Sequence, residues 1–327
     1  MSKHRLRNNI IKGILHTFGY TPSDGKILLN NVLKLCGYSP KVLKAGMHQK
    51  GTGFFSCCTV RLREIVLYFN VYKQLPEEVD CSNLFTLFQR MQGVDITSEY
   101  FKERGGVTIN YSKRIYITST KDEDQYSNYK KLNFQDINLF IEKYFTPSDN
   151  VTKIIKSLEA KYHINYHNLC ALYYRGNDKS LETNAPSYDD FIEKSKELKE
   201  KNPSICFLIQ SDEKEFIEAM QKHFPNSIVF KDETKAIARS ADNVVNVHGT
   251  LDDINTNSNF EYLLNFLAIT IIISKCKHII CTSGNCSYWV ILYRGNANNV
   301  QQYLSPKEYI YGLKNYQFDK NKNVFWL

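Results

Sequence analysis

Three short segments bring together residue types that can hold a phosphate or a sugar. In "YYRGNDK", residues 173 to 179, Arg175 follows a compact apolar run, Gly176 frees the backbone, and Asp178 and Lys179 fall in the turn behind it. A guanidinium there can fork onto a diphosphate, with Lys179 as a second cation. The same residues also suit an Arg–Asp pair that braces the turn. In "HIICTSGNCSYW" an apolar run meets small residues and then the start of a helix. Backbone amides around Ser283, Gly284 and Asn285, with the helix dipole behind them and Ser287 in the first turn, suit phosphate oxygens. The segment lacks both GxGxxG and the P-loop lysine. In "LIQSDEKEF", Ser211, Asp212 and Glu213 can accept from a ribose or sugar hydroxyl, or cap the helix that follows.

Two further segments extend the set. "HQKGTGFFS" offers His48 with Gly51 and Gly53, where backbone could approach a ligand or simply turn from strand to helix. Glu182, just past the arginine motif, is the first candidate for a general base, with His48 and His248 behind it. The four residues of Tyr174–Asn177 return as Tyr293–Asn296. Gly295 reads there as a helix C-cap and Arg294 as a cation suited to a helix C-terminus, so the second copy is structural.

These segments need elements to position them. From residue 168 onward the pattern alternates strand and helix: strands at "NLCALYYRG", "SICFLIQSD", "SIVFKD" and "KHIICTS", with helices at "SYDDFIEKSKELKEKN", "EKEFIEAMQKHFPN", "FEYLLNFLAITIIISKC" and "YWVILYRG". That order predicts a parallel doubly wound sheet with ligands at the carboxyl ends of its strands. Ser187 caps the first of these helices. Earlier in the chain, helices are expected at "NNIIKGILHTFG" and "GKILLNNVLKLCGY", then an extended piece, the Gly51–Gly53 loop and a long helix. Alternation in "GVTINYSKRIYITST" predicts strands, and helices follow at "NFQDINLFIEKYF" and "SDNVTKIIKSLEAKYHI", the latter capped by Ser148 or Asp149. A boundary near residues 158 to 166 divides the chain into an N-terminal α/β domain, 1–160, and a C-terminal nucleotide-binding domain, 161–327.

Composition bounds the classes open to the chain. At 327 residues it exceeds the usual size of one core, and 43% hydrophobic with 23% charged residues is ordinary for a globular protein. A net charge of +8 suits an anionic ligand, but only "MSKHRLRNNIIK" is a basic cluster. With no basic stripe interleaved with aromatics, no nucleic-acid partner is expected. Nine cysteines, an odd number, follow neither a disulfide framework nor zinc-site spacing, which points to reduced thiols and no metal. The chain shows no signal-peptide core and no apolar run of about 18 residues, so a cytoplasmic protein without a membrane span is expected. The apolar stretch at 260–276 reads as a helix buried on the sheet.

"YYRGNDK", "IQSDE" and "CTSGNCS", in this order over residues 168 to 292, resemble the donor half of the α1,6-fucosyltransferase and NodZ group, and more loosely the protein O-fucosyltransferases. The segment "GTGFFSCCTVRLREIVLYFNVYKQLPEEVD" is similar to that group's Gly-rich loop and helix. The resemblance implies a GT-B fold, with two Rossmann-like domains facing across a cleft, and inverting, metal-independent transfer from a nucleotide sugar. It assigns Arg175 to the donor diphosphate, matches Asp178 and Lys179 to the motif's Asp-Lys and Asp212 and Glu213 to its acidic pair, and sets Gly284 and Asn285 where the group has two serines. Tyr173 stands for the histidine that faces guanine, Gly176 for a second arginine and Ile269 for an aspartate.

The expected function is therefore transfer of a sugar, GDP-fucose being one candidate donor, to a glycan acceptor. Arg175, Lys179 and the 283–287 amides would stabilise charge on the departing β-phosphate. The co-substrate would be a nucleotide sugar, with no other cofactor, in a bacterial-type or viral cytosolic enzyme. Another sugar-nucleotide enzyme such as an epimerase, or a catalytically silent glycan- or nucleic-acid-binding protein on the same fold, are the competing readings.

Overall fold

The computed structural model describes residues 40–46, 53–110, 112–117, 124–177, 179, 186–234, 236–237, 256–304 and 325–327. The two helices expected before residue 40, together with His48, Gly51, Asp178, Glu182 and His248, lie outside the described residues.

The first half opens with a βαβ unit. Strands β1 (Val42–Gly46) and β2 (Glu78–Asn83) pair in parallel, joined by helix α1 (Phe54–Tyr72). Helix α1 carries apolar residues on most of its circumference, and it buries Phe54, Phe55, Cys57, Cys58, Leu62, Ile65 and Phe69. Lys73 ends it in the left-handed conformation, its amide returning to the Phe69 carbonyl. A single turn α2 (Thr97–Tyr100) and strand β3 (Phe101–Lys102) follow. Helix α3 (Phe134–Tyr144), strand β4 (Thr146–Pro147), which pairs antiparallel with β3, and helix α4 (Asp149–Lys161) complete this half. Of the two candidate caps for α4, Ser148 holds the position and accepts from the Val151 amide.

The strands expected over residues 106–117 are absent among the described residues there. Instead of a neighbouring strand, the Asn70 side chain serves Ile115: its Nδ2 donates to the Ile115 carbonyl and its Oδ1 accepts from the Ile115 amide, both at 2.7 Å. A single carboxamide thus reproduces one rung of a ladder, and the period-2 pattern gains no strand partner.

The second half follows the expected alternation closely: β5 (Leu169–Tyr174), α5 (Tyr188–Lys201), β6 (Cys206–Ser211), α6 (Lys214–His223), β7 (Ile228–Val229), α7 (Thr256–Lys275), β8 (His278–Thr282) and α8 (Asn285–Arg294). Strands β9 (Val300–Leu304) and β10 (Phe325–Trp326), like β2, carried no readable signal. Ser187 caps α5 in a reciprocal box with Asp190. The sheet order is β10-β9-β8-β5-β6-β7, parallel throughout except for β10. Counted in chain order, the five parallel strands run 3-2-1-4-5, which is the Rossmann arrangement, with its switch point between β5 and β8.

Alternation along β5 splits the core in two. Cys170, Leu172 and Tyr174 join Phe191 of α5 and Phe216 of α6 on one face, whereas Leu169, Ala171 and Tyr173 join residues of α7 and α8 on the other. The second of these clusters continues without a break into the first half of the chain. Phe55 of α1 lies 5.5 Å from Phe266 and 6.1 Å from Trp289 between ring centres, and Phe145 lies 4.7 Å from Trp289. Helix α7 is buried as expected, and no helix among the described residues is long and apolar enough to cross a membrane.

The second Tyr-Arg-Gly-Asn copy is structural in a more specific way than its position suggested. Gly295 is the left-handed C-cap of α8, and its carbonyl accepts from Asn138 at 3.0 Å. Arg294 reaches away from its own helix end and donates to the carbonyls of Ser274, Cys276, Lys277 and Asn298, closing the end of α7.

Candidate functional site

The switch point brings the two expected devices side by side. Arg175 leaves β5 with its backbone amide donating to Thr282 Oγ1, the last residue of β8, at 3.1 Å. Lys179 follows close by, with its Cε atom 3.9 Å from where a Cβ on Gly284 would sit. Gly284 has φ 147° and ψ 166°, a region that glycine alone enters readily, and it aims the chain into α8. Arg175 and Lys179 both act on the Cys286 thiol in the first turn of that helix: burial pushes its pKa up and the two cations oppose the rise.

The acidic pair at the end of β6 builds this crevice from behind. Asp212 takes the Arg175 guanidinium at 2.9 Å and accepts from the Gly176 amide at 3.1 Å. Glu213 has no exposed surface; one of its oxygens accepts from the Asn177 amide at 2.7 Å and the other from the Tyr188 hydroxyl at 2.6 Å. These bonds leave Asp212 and Glu213 as the scaffold of the arginine turn, where contacts to a ribose or sugar hydroxyl or a side-chain cap of the next helix were the expected alternatives; Glu213 holds the cap position without a side-chain cap bond. Gly176 is explained by the same geometry. A Cβ there would meet Glu213 Oε1 at 2.1 Å and Cδ at 2.3 Å, so the residue is glycine because a buried carboxylate lies against its backbone.

The amides of the 283–285 loop are engaged by the protein itself, which corrects the expectation of an open cradle. Ser283 donates to the Tyr303 carbonyl at 3.1 Å, Gly284 to the Gln125 carbonyl at 3.1 Å, and Asn285 to Gln125 Oε1 at 3.1 Å. The Asn285 side chain is also committed: its Nδ2 donates to Ser56 Oγ at 2.8 Å and its Oδ1 accepts from Thr59 Oγ1 at 2.9 Å, tying α8 to the start of α1. Gly53 caps α1 beside this junction, and a Cβ there would meet no protein atom within 4 Å. Ser287 has no exposed surface and lies beside the Cys281 thiol, away from the crevice. Tyr173 needs the same correction. Its ring packs in the larger core at 1% exposure and offers no face to a base, because its side of β5 is covered by α7 and α8.

Residues that the sequence reading missed hold the site together. Gln302 accepts from the Tyr129 amide and donates to the Ser127 carbonyl and Ser283 Oγ, each at 2.9 Å. The Tyr129 hydroxyl lies 3.2 Å from the Gly284 amide. No local pattern marks Gln125, Tyr129 or Gln302, since each acts across a large separation in sequence. No group of three or more His, Cys, Asp or Glu among the described residues is arranged to hold a metal ion.

No protein-family model matches the chain, and no curated protein does. Among solved structures it is similar to NodZ α1,6-fucosyltransferase soaked with GDP-fucose, at 12% identity and a TM-score of 0.32, with 50% of this chain and 48% of that one covered. The chain thus spans about half the length of that structure, and a likeness of this size assigns neither family nor ligand.

Proposed function

We propose that this chain is a glycosyltransferase that takes a nucleotide sugar at the switch-point crevice and moves the sugar to a glycan acceptor. One observation carries the reading: Arg175 and Lys179 stand beside the Gly284 turn between β5 and β8 of a 3-2-1-4-5 sheet, where such sheets take nucleotides. In this reading the acceptor hydroxyl attacks the anomeric carbon, the nucleoside diphosphate leaves, and the two cations stabilise charge on the β-phosphate. Transfer is inverting and independent of metal, the favoured donor is a GDP-sugar, and Glu182 is the candidate base. Residues 1–160 form the acceptor side and 161–327 the donor side of a GT-B pair.

A second reading rests on its own observation, the Arg175–Asp212 pair and the three occupied amides. There the crevice is closed by protein groups and the chain is a catalytically silent binding protein on the same sheet. Calorimetry with GDP, UDP and ADP separates the two. The first reading expects base-selective binding that Lys179→Ala weakens about tenfold or more, as loss of a charge-assisted contact does, and slow hydrolysis of the matching nucleotide sugar. Absence of binding to all three diphosphates refutes it.

A further inference from the structure

The loop that joins β2 to α2 is fastened on both sides of one cation. Before it, buried Gln89 donates from Nε2 to the Ser82 carbonyl at 2.6 Å and accepts from the Gly93 amide at 3.0 Å. After it, Asp95 accepts from the Cys81 amide at 2.6 Å and from the Thr97 amide and hydroxyl at 2.8 and 2.7 Å. The acid of this loop is thereby spent on the loop itself, and Arg90 has no carboxylate partner among the described residues. Its guanidinium lies instead over the Phe260 ring of α7, 3.8 Å from the ring centre. A guanidinium stacked by its face keeps its N–H edges for a planar acceptor.

A second donor stands beside the same ring. Tyr100, the last residue of α2, packs 5.4 Å from Phe260 and 4.9 Å from Phe54 between ring centres and has no exposed surface. Its hydroxyl has no hydrogen-bond partner among the described residues. Burying such a donor is costly unless something accepts from it. The charge that acts on it most strongly is that of Arg90, with Glu99 and the Cys58 thiol behind. With Glu99 close by, a singly charged acceptor is tolerated where a doubly charged phosphate would be repelled. The loop also exposes Met91 and Val94, so apolar surface lies next to the cation.

We propose that Arg90 and the Tyr100 hydroxyl form a subsite for a carboxylate, with one oxygen on the guanidinium edge and the other turned inward to the hydroxyl, and that its ligand is an acidic sugar whose apolar face meets Met91 and Val94. The subsite is built from both halves of the chain, since Phe260 of the second half seats the guanidinium that the first half supplies. It flanks the donor crevice: Phe54, which packs on Tyr100, precedes by two residues the Ser56 that bonds Asn285. In the glycosyltransferase reading this ligand is a sugar of the acceptor; that assignment rests on the reading, whereas binding of the carboxylate does not.

NMR titration of the full chain with D-glucuronate, and with D-glucose as the neutral control, tests this. Glucuronate should bind, and glucose should bind at least about tenfold more weakly, the loss expected for a charge-assisted contact. Arg90→Gln should weaken glucuronate by a similar factor of about ten or more. Tyr100→Phe should weaken it about three- to tenfold, the range of one net hydrogen bond, with a melting temperature equal to or above that of wild type, because a buried hydroxyl without a partner is removed. A Tyr100 hydroxyl that serves the fold alone would instead lower the melting temperature and leave glucuronate affinity within about twofold. That result, equal binding of the two sugars, full affinity in Arg90→Gln, or no glucuronate binding overturns the subsite. Titration of wild type with inorganic pyrophosphate reads the donor crevice separately. Pyrophosphate bound without glucuronate overturns only the subsite, whereas glucuronate bound without pyrophosphate keeps the subsite and sinks the donor reading.

Discussion

Replacing Gly176 with alanine sets one methyl group against one buried carboxylate. The added Cβ would stand 2.1 Å from Glu213 Oε1, 2.3 Å from Cδ and 2.6 Å from Oε2, all well inside contact distance. The obstacle is not the loose end of a side chain, because Glu213 is fully buried and both its oxygens are engaged, one by the Asn177 amide and one by the Tyr188 hydroxyl. Gly176→Ala must therefore displace the carboxylate and break two bonds to a charged acceptor. At about 1.5–3 kcal/mol each, the expected loss is about 3–6 kcal/mol, or roughly 6–12 °C in melting temperature. Urea unfolding of Gly176→Ala, Glu213→Ala and the double variant measures it. In the Glu213→Ala background the methyl group has room, and alanine should then cost less than about 0.5 kcal/mol because it also restricts the unfolded chain. The two sites should couple by about 3 kcal/mol. A single variant within about 0.5 kcal/mol of wild type, or additive effects, would refute the claim that Glu213 dictates this glycine.

Other consequences are open to direct measurement. Arg294→Met removes four carbonyl contacts at the end of α7 and should cost about 2–4 kcal/mol in urea unfolding; pyrophosphate affinity should be unchanged, and a shared loss of both would return Arg294 to the site. Burial pushes the Cys57, Cys81, Cys276 and Cys281 thiols up to about 12, leaving thiolate on the order of 10⁻⁴ at pH 8. Iodoacetamide under native conditions should mark exposed Cys206 first by peptide mass spectrometry, and equal labelling of the buried four would contradict the packing. Burial alone would raise the Glu159 carboxyl, but hydrogen bonds from Tyr166 and Lys275 outweigh it and hold the pKa below the usual glutamate range. That contribution to stability is present above the unfolded-state pKa and disappears as pH falls through the lower folded value. Glu159→Gln should therefore lose less stability than wild type on acidification from about pH 5 to 3, and parallel curves would remove the assignment.

What could be read in advance follows from how far each interaction reaches along the chain. The nearness of Arg175 and Thr282 was legible because it depends on a topological rule, and β-α alternation is a local signal. Tyr173 was misread because β5 is buried on both faces, so its apolar run carries no alternation to tell a core side from a crevice side. Gly176 was assigned conformational freedom when its cause is a carboxylate 37 residues on, close in space only because β5 and β6 pair with Tyr174 opposite Ser211. Gln125 lies 160 residues from the amide it serves, and nothing in "KDEDQYSNYKK" marks it.

These misreadings share one physical cause, and it bears on what the crevice can do. Asp212 and Glu213 look like ligand contacts in sequence because acidic residues at a strand end accept hydrogen bonds; in the fold the donors that fill them are the amides and guanidinium of the adjacent turn and the Tyr188 hydroxyl. The turn is thereby held in place before any ligand arrives. A cationic loop fixed in this way spends little free energy on ordering when an anion binds, which favours affinity through pre-organisation. The same pairing with Asp212 weakens the pull of Arg175 on that anion. Arg175→Lys should therefore lower pyrophosphate affinity by less than about tenfold. A larger loss would show that the guanidinium leaves Asp212 to meet the ligand, and that the turn is less fixed than its hydrogen bonds indicate.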